Sequence, residues 1–189
     1  MTSFVVFKYL PEHMIKHWQQ LLNTDCKVVR IGKNYLYPIF KCGSTSLMNN
    51  ADNIIKNDKI SKLKALTVFV RDPSERFKTG VNTYARLNKM TVRSVLSGIR
   101  KDKICNRHFA PQFLWFFHLM RYYKGKVTIR PISDIKKHTP AFENTTTVKH
   151  AVAINSKYVK VDEELIRRYM NKTVSLPTLC VNLIEHVLP

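Results

Sequence analysis

Short β-favouring runs alternate with longer stretches of helical spacing along the whole chain. Residues 3–8 read as a short strand, and 11–22 as an amphipathic helix with Met14, Trp18, Leu21 and Leu22 on one side. Two β-favouring runs, 27–31 and 35–40, flank Gly32-Lys33-Asn34 and predict a hairpin. Residues 44–55 read as a helix and 57–64 as a polar connection. Ala65-Leu66-Thr67-Val68-Phe69-Val70 is a buried strand, followed by a helix over 73–87 that sets Phe77, Val81, Tyr84 and Leu87 on one side. A short helix is predicted over 91–99 and a basic loop over 101–107. The helix over 111–123 is apolar nearly all round, which predicts a buried central position and makes its aromatic stripe core. Residues 126–130 read as a strand, 132–137 as a helical turn, 138–150 as a Thr-rich loop able to cover a site, and 162–171 and 177–187 as closing helices. Strands alternating with helices predict one α/β domain over 1–189, in three layers, with a mainly parallel sheet flanked by helices.

Two of the strand-to-helix junctions carry candidate chemistry. In Tyr35-Leu36-Tyr37-Pro38-Ile39-Phe40-Lys41-Cys42-Gly43-Ser44-Thr45-Ser46-Leu47, an apolar run stops at a lysine and a glycine, and three hydroxyl residues open the next helix. Backbone N–H groups at such a junction face outward and suit an anion, with Lys41 adding a full charge. A helix cap whose hydroxyls serve only its own amides fits the same residues. The common nucleotide loop, G-x-x-x-x-G-K-[ST], is absent, because the lysine comes first and only one glycine is present. The second junction is Arg71-Asp72-Pro73-Ser74-Glu75-Arg76-Phe77-Lys78-Thr79-Gly80, with Asp72 suited to the N-cap and Pro73 to the first helical position.

Together these stretches resemble the sulfotransferases that use 3′-phosphoadenosine 5′-phosphosulfate (PAPS). Lys41-Cys42-Gly43-Ser44-Thr45-Ser46-Leu47 is similar to their 5′-phosphosulfate loop, P-K-x-G-[ST]-[ST]-[SL], and Arg71 to Thr79 is similar to their 3′-phosphate motif, R-D-P-x-E-R-x-x-S. Asn106-Arg107-His108-Phe109-Ala110-Pro111-Gln112 resembles the D-x-H-x-x-P-Q segment of the carbohydrate O-sulfotransferases, with weaker echoes at 154–157 and 162–169. The sequence departs from those patterns at Phe40 for proline, Thr79 for serine and Asn106 for an acid, the last removing a carboxylate that would orient His108.

The resemblance implies a P-loop-like fold, a soluble bacterial or viral-like member, and PAPS as co-substrate without a metal. It implies that Lys41, Cys42, Gly43, Ser44, Thr45, Ser46 and Leu47 hold the 5′ end, and that Arg71 and Thr79 hold the 3′-phosphate. Lys41 is then the catalytic cation, and His108 the general base, an imidazole titrating near neutrality. Glu143, His138 and His150 are weaker substitutes for the base, while Asp72, Glu75 and Arg76 fix the turn. The two junctions must lie side by side at the sheet's carboxyl edge to grip one nucleotide. The acceptor implied is a glycan hydroxyl.

Charge changes the picture in one respect. Lys and Arg number 32 against 13 Asp and Glu, a net charge of +19 spread from Lys8 to Lys172, with a pI near 10.0. Such a field attracts polyanions, so an anionic glycan is accommodated, and Arg100, Lys101, Lys103, Arg107, Arg121, Lys124 and Lys126 are candidates to face it. The alternative is a basic nucleic-acid- or polyanion-binding protein without catalysis, whose two anion turns meet backbone phosphates. No helix-turn-helix, zinc or RNA-recognition signature supports it. A small-molecule kinase is disfavoured by the missing nucleotide loop. Cys26, Cys42, Cys105 and Cys180 are widely spaced and read as reduced, mostly buried thiols. His13 and His17 stand at metal-compatible spacing without a third ligand nearby, and read as a solvated basic face. No run approaches the roughly 18 apolar residues of a membrane span, and no signal pattern opens the chain. A cytoplasmic protein is expected, or one trimmed of an N-terminal anchor, and Asn144 and Asn171 sit in glycosylation sequons by chance.

Overall fold

A computed structural model describes residues 10, 12–140, 142 and 156–186. The expected strand at 3–8, Glu143, Asn144, His150, the echo at 154–155 and most of the Thr-rich loop lie outside them. Helices α1 (Glu12–Leu22), α2 (Ser44–Asn49), α3 (Pro73–Leu87), α4 (Val92–Arg100), α5 (Gln112–Met120), α6 (Ser156–Tyr169) and α7 (Leu176–His186) surround one open sheet. Its strands are β1 (Lys27–Ile31), β2 (Asn34–Tyr37), β3 (Asn53–Lys56), β4 (Ala65–Val70), β5 (Lys126–Pro131) and β6 (Thr173–Ser175), in spatial order β3-β1-β2-β4-β5-β6.

The sheet is mixed, which corrects the expectation of a mainly parallel one. Only β2, β4 and β5 run parallel, with Tyr37 opposite Val68 and Val68 opposite Ile129; β1–β2, β1–β3 and β5–β6 are antiparallel. The physical reason is connection length. The two-residue Gly32-Lys33 turn closes the β1–β2 hairpin, which only antiparallel strands allow, and the Gly32 amide donates to Asp52 Oδ2 at 2.7 Å.

The expected helix over 44–55 stops at Asn49. Asn50 Nδ2 donates to Ser46 O at 2.8 Å, closing the last turn, and the β-branched pair Ile54-Ile55 then joins β1 opposite Val29 and Val28. Strand β2 ends at Tyr37, immediately before Pro38, whose nitrogen has no hydrogen to give a ladder, leaving 38–43 as an irregular bridge into α2. Leu87 is 60% exposed, and Ala85 packs inward in its stead. Strand β6 has three residues without a hydrophobic period, so nothing in the sequence announces it.

Alternation along the strands divides two cores. Val28, Tyr37, Leu66, Val68, Val70, Val127 and Ile129 face α1, α5, α6 and α7, while Val29, Leu36 and Phe69 face Leu47 of α2 and Ile135. Every residue of α5 is buried, as its apolar circumference requires. His17 is buried with its ring edge against Phe109 at 5.5 Å, so it is a core residue and not part of a solvated face.

Cys26, Cys42 and Cys180 are buried thiols and Cys105 is half-buried, all four free. Among the described residues no helix is long and apolar enough to cross a membrane.

His118 is buried between Thr24 O, 3.1 Å from Nε2, and the Tyr37 hydroxyl, 3.0 Å from Nδ1. A carbonyl only accepts, so Nε2 carries the proton and Nδ1 accepts from Tyr37. Burial holds this neutral ring down to about 4, and a folded-state value below the unfolded one means the unfolded chain takes up protons first. Its stabilisation is therefore present above the unfolded value and lost as the pH falls toward 4. Buried Asp162, pushed up to about 6, works in the opposite direction over the same range. His108 shares the sign of His118, and the two histidines outweigh the one carboxyl. Thermal denaturation from pH 7 to pH 5 is expected to show a falling melting temperature, with a shallower fall once His118 is replaced by glutamine.

Candidate functional site

The parallel pairing of β2 with β4 brings the two junctions together. Gln112, the first residue of α5, ties them. Its Nε2 donates to Arg71 O at 2.9 Å, and its Oε1 accepts from the Arg71 amide at 2.9 Å and from Cys42 Sγ at 3.1 Å. Arg76 adds a second tie from α3, donating through Nε to Phe40 O at 3.0 Å and through Nη1 to Ala110 O at 2.5 Å. The expected side-by-side placement of the junctions is thus met. Arg76 fixes the turn through carbonyls, and the ion pair Glu75 makes is with Lys78, at 3.1 Å. Asp72 caps α3 as anticipated, its Oδ1 accepting from the Glu75 amide at 2.8 Å.

Around these ties the loop residues divide by direction. Leu47 sits in the core, and its amide donates to Gly43 O at 3.0 Å, so it anchors the loop. Cys42 turns its thiol inward to Gln112, leaving only its backbone toward the junction. Gly43 is the N-cap at φ 77°, a left-handed conformation that costs other residues energy, and a Cβ there would fall 2.3 Å from Ile135 Cδ1. With no side chain on the cap, nothing from residue 43 takes up the first-turn amides of Ser44, Thr45 and Ser46. Lys41 also adopts positive φ, 66°, an uncommon state for a lysine that the surrounding structure must enforce.

The electrostatics are one-sided. Burial lowers the Lys41 ammonium below its usual range, and the neighbouring charges of Arg86, Arg76 and Arg71 lower it further. His108 feels the same field: burial first, then Lys41, Arg107 and Arg76, take its imidazole down to about 4. Asp162 is the carboxylate that reaches this group, and it is occupied, accepting from the amides of Gln112 at 2.6 Å and Phe113 at 2.8 Å. Among the buried polar atoms without a hydrogen-bond partner are Arg76 Nη2 and His108 Nδ1, whose residues share the field of Lys41, and Thr79 Oγ1, one turn beyond Arg76 on α3. Unpaired buried polar groups are costly, and a cluster of them among cations is what an anion's oxygens would satisfy.

His108 lies against this cluster, its ring centroid 5.6 Å from that of Phe40 in a T-shaped contact. Its backbone position is fixed twice. Asn106 Oδ1 accepts from the His108 amide at 3.0 Å, so the residue in the usual acid's place holds the main chain and not the imidazole. Gly80 packs against the His108 carbonyl so closely that a Cβ would lie 2.3 Å from its oxygen. Sequence reading missed Gln112 and Asp162 as the residues that join the segments, and Arg86 as a member of the cationic face of α3. The spacing of Arg76, Thr79, Thr83 and Arg86 was the available signal for the last, since i, i+3, i+7 and i+10 share one helix face. His138 stands apart, its ring tilted against Phe69 at 5.7 Å.

No protein-family model, curated protein or solved structure matches this chain. The chemistry of the site therefore rests on its own residues. Among the described residues no group of His, Cys, Asp and Glu is arranged to hold a metal ion.

Because His108 is neutral in the free chain, it can accept a proton at neutral pH. An anion entering the cluster offsets Lys41, Arg76 and Arg107 and raises its affinity for that proton. Proton NMR of the ring is expected to show a titration near pH 4 in the free protein that moves upward when adenosine 3′,5′-bisphosphate is added. A midpoint that stays fixed would place the nucleotide away from His108.

Proposed function

We propose that the chain is a PAPS-dependent O-sulfotransferase acting on a carbohydrate hydroxyl, with a P-loop-like three-layer arrangement around its parallel strands. The observation that carries this reading is the cluster of Lys41, Arg71, Arg76 and His108, where Arg76 Nη2 and His108 Nδ1 are buried without partners and the buried carboxylate of Asp162 is already engaged. Such a site is electrostatically incomplete without an anion, and the two junctions offer it two separate anchoring points.

PAPS supplies an activated sulfuryl group on a bisphosphorylated adenosine. Ser44, Thr45 and Ser46, with Gly43, would hold its 5′ end through backbone amides and hydroxyls, and Arg71 with Thr79 its 3′-phosphate. Lys41 would sit where negative charge grows on the oxygen that leaves sulfur. His108 would take the proton from the acceptor hydroxyl, which its neutral state permits. Positioning and charge stabilisation contribute most in transfers of this kind, and rigid ties through Gln112 and Arg76 serve the first.

Incubation with radiolabelled PAPS and a panel of glycans, phenols, steroids and peptides tests the reading, with mixed-sequence DNA titrated in parallel. Label transfer to a glycan supports it. Salt-sensitive DNA binding without transfer to any acceptor would replace it with a non-catalytic polyanion binder.

A further inference from the structure

Beside the loop lies an open cleft of about 560 Å³, whose lining includes Ser44, Thr45 and Asn49 of α2 and Asn23, Asp25 and Lys27 around the start of β1. Its wall includes an ordered stack. The Arg107 guanidinium lies 4.7 Å over the Phe40 ring, and Phe40 in turn lies 5.3 Å from Trp115 at an interplanar angle of 19°. The cleft volume falls within the range of small-ligand sites, about 300–1,000 Å³. Amide side chains interleaved with aromatic rings suit a pyranose, which offers hydroxyls at its rim and apolar C–H groups on its faces.

Arg107 is the informative residue. Its exposed guanidinium rests over the ring beneath it, a cation–π contact that favours this placement. No carboxylate pairs with it among the described residues. Lys27 adds a second cation to the same cleft, against the single acid Asp25. The residue also connects the cleft to the reaction centre: Arg107 lies over Phe40, while His108, its neighbour in sequence, makes a T-shaped contact with the same ring.

Resting on the sulfotransferase reading, we propose that this cleft is the acceptor site and that Arg107 selects a sugar bearing an anionic substituent. The substituent docks in the guanidinium fork, and the ring it belongs to then presents a hydroxyl toward His108. A neutral sugar of the same shape leaves that fork unpaired and the cationic pair uncompensated.

The chain has two tryptophans, Trp18 and Trp115, and only Trp115 lines the cleft, so its fluorescence reports occupancy in a Trp18→Phe background. The probes are a uronate-containing disaccharide and its carboxyl-reduced counterpart, which differ only in the acidic group. The uronate is expected to change Trp115 emission at concentrations at least tenfold lower than the reduced sugar. Arg107→Ala is expected to remove that difference, and Arg107→Lys to restore part of it, keeping the charge and losing the fork. Circular dichroism of each variant confirms the fold. Equal response to the two sugars, or to neither, overturns the proposal. Calorimetry with adenosine 3′,5′-bisphosphate on the same protein separates the two ideas. Nucleotide binding with no sugar preference refutes the Arg107 selection alone, and sugar preference without nucleotide binding refutes the sulfotransferase reading.

Discussion

Lys41→Ala is expected to lower sulfuryl transfer by about a hundred- to a thousandfold, the usual cost of removing one preorganised donor to developing charge. The folded state is expected to survive unchanged. Lys41 makes no ion pair among the described residues and is surrounded by Arg71, Arg76 and Arg86, so its loss relieves repulsion. An alanine at φ 66° retains some backbone strain, which limits any gain in melting temperature. Initial rates at saturating PAPS, set beside a thermal melt, check both halves. A fully active variant would remove Lys41 from the reaction, and an unfolded one would make it structural.

Asp162→Ala is expected to be the most destabilising single change in the chain. The carboxylate is almost fully buried, accepts from two amides at the start of α5, and is the negative neighbour of buried Arg76. Pro111, the N-cap of α5, has no side-chain acceptor to replace it. Each buried amide left without its acceptor costs about 1–3 kcal/mol. For a domain of this size each kcal/mol lowers the melting temperature by about 2–4 °C. Activity should fall as well, since α5 carries Gln112 and follows His108. Asp162→Asn keeps one acceptor oxygen and is expected to lose less than half as much. Chemical denaturation of the two variants measures the difference, and equal, small losses would show that Asp162 is not the anchor.

Much of this was legible in the chain itself. Strong local signals gave α3 with its Asp72 cap, the hairpin of β1 and β2, and the all-apolar α5. The neighbourhood of the two junctions was an expectation of the resemblance, and the pairing of β2 with β4 and the Gln112 tie meet it. Weak local signals failed where tertiary pairing decides. Ile54 and Ile55 continue a helical pattern by spacing, yet an available strand edge at Val28 and Val29 claims them. The mixed sheet follows from the same choice. In the candidate site, the expectation for Lys41, Arg71 and Thr79 came from charge and position in a motif, whereas Gln112 and Asp162 act across 41 and 50 residues of sequence. Long-range hydrogen bonds of that kind leave no periodic trace.

Calorimetric titration with adenosine 3′,5′-bisphosphate and adenosine 5′-monophosphate, on the native protein and on Arg71→Ala, tests the shared grip of the two junctions most directly. The native protein should bind the bisphosphate more tightly by at least tenfold, and Arg71→Ala should lose that advantage while keeping its affinity for the monophosphate. Equal affinity for the two nucleotides in the native protein, or an equal loss of both in the variant, would contradict it.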